Sequence, residues 1–363
     1  MPSIIHHIET AVPEHTYSQS ELRDRMKEIV DGGEKDRRII HYLYARSGIE
    51  TRHSVVADFH EKSKKTLFFN GQGSNPGTAS RNDTYILKGR ELFVKVAQKL
   101  IDGSDFEAGD ITHLITISCT GFYAPGPDFD IQQALCLNPG LERYHLGFMG
   151  CYAAIPGLKL ADQICRANPE ANVMVVSAEL CTIHFQAVPV MDDLLSASVF
   201  ADGAAGAIVS NRTPKNRSFR IDGFESQILS QGKNDMAWSI GDQGFNMVLS
   251  SYIPDLLGEG LEQFLDRLLT KLDIRREEIG YWGIHPGGRA ILDKSEQVLH
   301  LDPGDLSASR AVLARYGNMS SATVLFVLKE LLNIQHPEKS RGIAMAFGPG
   351  LTLESALLSV IGV

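Results

Sequence analysis

The sequence predicts an α/β protein. Apolar runs rich in β-branched residues alternate with stretches of helical period, and the alternation occurs both before and after residue 215. With 363 residues, 43% of them hydrophobic, the chain can bury a substantial core as one large or two medium units.

Taken in order, Thr112–Ser118, Asn172–Ser177 and Ala204–Val209 read as strands. Between the first two, a helix is expected over Tyr152–Ala167, because Ile155, Leu158, Ala161 and Cys165 return to one face. The stretch from Val55 to Thr84 is polar, with Gly71, Gly73 and Gly77 among Asn, Ser and Pro, and reads as a long surface excursion. Its Gly-x-Gly is too short for a phosphate loop. Asn211–Arg217 is loop-like and divides the chain into halves of 1–215 and 216–363. The second half holds an amphipathic helix through Leu261, Phe264, Leu265, Leu268 and Leu272, then a strand Tyr281–Ile284 ending at His285. A helix over Ser320–Leu332 and strands over Gly342–Phe347 and Thr352–Ile361 follow.

Composition removes several function classes. A net charge of −9 and a pI near 5.7 argue against nucleic-acid binding, and the densest basic cluster, Lys62, Lys64 and Lys65, reads as a solvated loop. The N-terminus lacks a signal-peptide pattern and no apolar run reaches the ~18 residues of a membrane span, so a cytoplasmic protein is expected. Five cysteines without a Cys-x-x-Cys pair suggest neither a disulfide framework nor a zinc site, and no metal is expected.

Three places carry chemistry. Cys151, in Gly147-Phe-Met-Gly-Cys151, stands just before a helix, where amide donors and the helix dipole favour a thiolate; a buried packing thiol is the other reading. His285, in His285-Pro-Gly-Gly288, ends a strand and can pair with a thiolate or polarise a carbonyl, or be a capped structural residue. Asn318, in Tyr316-Gly-Asn318-Met-Ser-Ser321, is either an N-cap or a hydrogen-bond donor to a substrate.

Together with Phe347-Gly-Pro-Gly350, these segments resemble the signature stretches of type III polyketide synthases of the chalcone synthase kind, and the resemblance covers the whole chain, most faintly before residue 85. It implies a thiolase-like five-layer αβαβα sandwich of two similar halves, normally a homodimer, that joins an acyl-CoA starter to malonyl-CoA without metal or other cofactor. Cys151 would carry the starter and the growing chain, His285 would hold the thiolate as an ion pair, and Asn318 would be a second donor to the thioester oxygen. Phe200 matches the gatekeeper phenylalanine, and Met247 falls where a second is usual. Cys119, Thr120, Cys181, His184, Trp238 and Ser320 match cavity-lining positions, with Gly348 and Pro349 in the floor. Cys119, Thr120, Cys181, His184 and Trp238 depart from the plant pattern, which points to the bacterial branch, to fatty acyl starters and to alkylpyrone or alkylresorcinol products. The pantetheine arm of CoA is expected along Gly287, Gly288 and Ala290, and its phosphates at Arg52, with Arg46 and Arg289 behind it.

Three alternatives share the fold. An initiating ketoacyl-ACP synthase has the Cys-His-Asn trio but usually Gln-Ala-Asn after the histidine and no Gly-Pro-Gly turn. An HMG-CoA synthase-like enzyme needs an acidic base, for which Glu179 is the candidate. A partner subunit without catalysis would not need the intact trio.

Overall fold

A computed structural model of the chain describes residues 2–30, 32–60, 76–250, 252–337 and 340–362. The first half contains strands β1 (Ile4–Ala11), β2 (His15–Ser18) and β3 (Thr51–Ser54), and helices α1 (Gln19–Ile29) and α2 (Glu34–Arg46). It continues with α3 (Thr78–Asp102), β4 (His113–Ser118), α4 (Pro127–Ala134), β5 (Glu142–Gly147), α5 (Ala154–Ala167), β6 (Asn172–Leu180), α6 (Met191–Val199) and β7 (Asp202–Ser210). The second half comprises β8 (Ser218–Ile228), β9 (Met236–Gly241), β10 (Gly244–Leu249), α7 (Ile253–Leu272), β11 (Ile279–Ile284), α8 (Arg289–Val298), α9 (Ser307–Tyr316), α10 (Thr323–Asn333), β12 (Arg341–Gly348) and β13 (Thr352–Ile361).

Nine strands form one sheet in the order β11-β12-β13-β8-β1-β7-β6-β4-β5. From the middle outward, the first half runs β1-β7-β6-β4-β5 and the second β8-β13-β12-β11, with the same strand senses: the last strand is antiparallel to both its neighbours, and the outer pairs are parallel. The halves repeat a topology with no matching residues to announce it. They meet at β1 and β8 through Ile4 with Arg220 and Ile5 with Phe219.

Three apolar clusters define the layers. Alternate residues of β6 point to opposite faces: Val173 and Val175 join the central helices α5 and α10, whereas Met174 and Val176 face α3 on the outside. In β12, Ala344 and Ala346 face inward, while Ile343 and Met345 meet α7 and α8. Helices therefore cover both faces of each half-sheet, giving five layers, and strands buried on both faces read as continuous apolar runs.

One expectation needs correction. The polar stretch ends sooner than Thr84, because Thr78 already begins a helix capped by Gly77. Arg81, fully buried in its second turn, donates to the carbonyls of Pro76, Ile183 and Phe185, so a charged side chain serves as core there. Lys62, Lys64, Lys65, Gly71 and Gly73 lie outside the described residues.

Candidate active site

The turn bearing Cys151 is shaped by two close approaches. Gly150 has φ +88°, and a Cβ there would lie 2.4 Å from Cδ of Pro349, so the Gly-Pro-Gly turn excludes any side chain. A Cβ on Gly348 would lie 2.6 Å from the Tyr152 ring. Cys151 is thereby held between the end of β5 and the start of α5.

His285 leaves β11 with its backbone N–H on Met345 O at 2.7 Å. Its ring is 1% exposed and neither ring nitrogen has a hydrogen-bond partner among the described residues. Asn318 is no N-cap: α10 begins at Thr323, after a 3-10 turn over Ser320–Ala322. Its Oδ1 accepts from the Ser320 N–H at 2.9 Å and its Nδ2 donates to Gly287 O at 3.1 Å, which orients the amide. Ser320 pays for its place with φ +47°, in the left-handed region.

Burial acts on both partners of the expected ion pair. Burial pushes the Cys151 thiol up to about 11, with Glu179 adding to the rise and hydrogen bonds from Ser320 and Asn318 opposing it. Burial also lowers His285 to about 3. Burial thus works toward thiol and imidazole, against the hydrogen bonds that favour the Cys151 thiolate.

The trio opens on a cavity of about 970 Å³. Cys119, Thr120, Cys181 and Ser320 surround Cys151 at its root. One apolar part of its lining, Tyr17, Leu22, Met26 and Phe59, belongs to the cluster outside the first half-sheet. Another part, Phe200, Met236, Leu249 and Ile291, packs against the α7 and α8 cluster. Met247, Gly287, Gly288, Ala290 and Pro349 also line the cavity, whereas Gly348 stands behind Pro349 against Tyr152.

Trp238 faces the cavity, and its indole N–H donates to Cys119 O at 2.8 Å. His184 stacks on Phe245 at 4.0 Å, accepts from the Phe245 N–H at its Nδ1 and donates from Nε2 to Thr120 O. Burial lowers His184 to about 3, so it is a neutral clamp. Trp238, His184 and Phe245 make a closed wall tied by hydrogen bonds to the Cys119-Thr120 backbone.

Known proteins decide the family. The model of the chalcone and stilbene synthase N-terminal domain matches residues 2–213, and that of the C-terminal domain matches residues 222–362. The chain belongs to the chalcone and stilbene synthase family. It is 29% identical to the alpha-pyrone synthesis polyketide synthase-like Pks18 of Mycobacterium tuberculosis, over 99% of this chain and 91% of that protein. It is similar to PKS-I of the brown alga Ectocarpus siliculosus, with a TM-score of 0.92, 28% identity and coverage of 99% and 98% of the two chains. It also matches 1,3,6,8-tetrahydroxynaphthalene synthase of Streptomyces coelicolor, with a TM-score of 0.86, 25% identity and coverage of 99% and 100%. The fold is thiolase-like, and the chain is a type III polyketide synthase, a malonyl-CoA-condensing acyltransferase.

In this synthase Arg52 is not at the mouth, contrary to its expected phosphate contact. It is 5% exposed and its Nη1 donates to Ala197 O and Phe200 O, both at 2.7 Å. Exposed Arg46 and Arg289 are the cations on the cavity rim.

Sequence reading offered Glu179 only as a candidate base, missing its structural role, and it missed the cavity beside α1. Glu179, fully buried, accepts from Cys119 N–H at 2.9 Å, from the Thr120 hydroxyl at 2.8 Å and from the Ser321 hydroxyl, so it ties the Cys119-Thr120 turn to the segment that carries Asn318. Burial raises its pKa, against those hydrogen bonds. The cavity at Leu22 and Met26 is lined by ordinary core residues, and the amphipathic pattern of α1 held no sign of it.

Proposed function

We propose that this synthase loads an acyl starter from CoA onto Cys151, extends it with malonyl-CoA and cyclises the product to an alkylpyrone or alkylresorcinol. The convergence of Cys151, His285 and Asn318 on one cavity carries the reading. As sulfur attacks the acyl-CoA carbonyl, its proton passes to the neutral His285; CoA leaves as the thiol once that proton returns to it. Malonyl-CoA then loses CO₂, and the enolate that forms on its thioester oxygen is met by an N–H of His285 and the second Nδ2–H of Asn318. The enolate carbon attacks the Cys151 thioester and releases the sulfur. No metal or other cofactor enters, because loss of CO₂ generates the carbon nucleophile.

The apolar lining at Leu22 and Met26 supports a long hydrocarbon starter. Polar groups along it are used internally: the Tyr17 hydroxyl donates to Val56 O at 2.8 Å, and Ser54 pairs with Thr182 at 2.6 Å. A chain there meets no polar group seeking a partner. Gly287 to Ala290 would carry the pantetheine arm, with Arg46 and Arg289 meeting the phosphates. The open edge of β5, where Tyr144 and nearby Phe122 are each 40% exposed, supports the expected homodimer.

The test is turnover of labelled malonyl-CoA with acyl-CoA starters of graded length, products being read by mass spectrometry. Pyrones or resorcinols bearing the starter's alkyl chain support the proposal; condensation only with acyl carrier protein substrates defeats it.

A further inference from the structure

The end of α6 is sewn to the catalytic asparagine. A helix leaves its last four carbonyls without intrahelical partners, and a buried end must find others. Here Ala197 O accepts from the Tyr44 hydroxyl at 2.9 Å and from Arg52, Ser198 O from Gln19 at 2.8 Å, and Val199 O from the Asn318 N–H at 2.9 Å. Phe200 O accepts from the same Nη1 of Arg52, and the Ala201 N–H donates to Asn318 O at 2.8 Å. A cation at this point also complements the negative end of the helix dipole.

The other side of Arg52 touches the loop that carries Asn318. Gly317 has φ +70°, and a Cβ there would lie 2.9 Å from both Cγ and Cδ of Arg52 and 3.1 Å from Val199 O. The strand bearing Arg52, β3, is fixed in turn to the end of α9: Glu50 N–H donates to Ala314 O at 2.8 Å, and the Thr51 hydroxyl to Arg315 O at 2.6 Å. β3, the end of α6 and the loop after α9 thus meet at Arg52, the Ala197 and Phe200 carbonyls at its guanidinium and Gly317 at its stem.

We propose that Arg52 is a positioning residue that fixes the Asn318 amide and the Phe200 ring relative to Cys151. It touches no reacting atom. Its role falls mainly on the decarboxylation step, where Asn318 meets the enolate oxygen, and less on the loading of Cys151, where His285 takes the proton and Asn318 only bonds the thiol. The claim rests on the function proposed above, and the two fail differently.

Arg52→Met keeps the stem and removes the donors, whereas Arg52→Lys keeps one charged donor. In full-length protein, Cys151 acylation by a starter acyl-CoA is timed by intact mass, and malonyl-CoA decarboxylation by CO₂ release. Misplacement of Asn318 by a fraction of an ångström should slow decarboxylation about tenfold or more in Arg52→Met, through kcat, with acylation within about twofold of wild type and partial rescue in Arg52→Lys. Should Arg52→Met fail to fold, Gly317→Ala displaces the stem from the other side and should split the two steps in the same way. Equal losses in both steps, or no loss in either, overturn the positioning role. A wild-type enzyme that neither acylates nor decarboxylates overturns the function, and this role with it.

Discussion

Filling the apolar part of the cavity should change which starters are used without touching the chemistry. Met26 is buried on α1, 3% exposed, and lines the cavity with Leu22. Each methylene that moves from water into such a cavity gains about 0.8 kcal/mol, about fourfold in kcat/KM if the gain persists in the transition state. For the wild type, kcat/KM should climb by about that factor per methylene and flatten when the chain end reaches Leu22 and Met26. In Met26→Trp the plateau should arrive sooner. An indole that excludes three methylenes would remove about 2.4 kcal/mol, about 60-fold, from the longest starters and nothing from the shortest. The assay is kcat/KM over a series of saturated acyl-CoAs, with CO₂ release from malonyl-CoA as a control for the intact trio. A variant with an unchanged chain-length profile, or with equal losses for short and long starters, would refute the placement of the starter against this lining.

Other perturbations separate the remaining groups. Asn318→Ala removes an oriented donor, and decarboxylation should fall about 10²–10³-fold while Cys151 still accepts a starter; normal CO₂ release would end its role. Trp238→Ala opens the wall beside His184 and should add products with more malonyl units, seen as heavier pyrones or resorcinols; an unchanged product spectrum shows the wall sets no limit. His285 and His184 are both held near 3, below the usual histidine value of 6.5. Their contribution to stability is present above pH 6.5 and lost as pH falls toward about 3, because only the unfolded chain takes up protons in that window. Replacing His285 by Ala should therefore flatten the pH dependence of urea unfolding below 6.5 by about 1.4 kcal/mol per pH unit. An unchanged slope would mean that His285 is protonated in the folded state.

The elements that sequence revealed are those whose burial is uniform. β4, β6, β7 and β12 are buried along nearly their whole length, so each strand appears as an unbroken apolar run. Cys151, His285 and Asn318 stand at turns marked by glycine, at Gly150, Gly287 and Gly317. What escaped was polar material used as structure. Arg81 and Arg52 are buried by pairing with backbone carbonyls, a partnership set by tertiary approach that no local pattern records. A basic residue near the expected mouth of a CoA site looks like a phosphate ligand until its burial is known. The desolvation of Cys151 and His285 was hidden for a similar reason: it is set by the folded cavity, whereas the helix dipole that favours thiolate is visible in the sequence.

The most direct test of the account is the mass of the intact protein after incubation with a medium-chain acyl-CoA in the absence of malonyl-CoA. One acyl group should add to the wild-type chain and map to the peptide bearing Cys151, and Cys151→Ala should gain nothing. An adduct on Cys119 or Cys181 in its place, or none on a wild-type enzyme that still turns over, would contradict it.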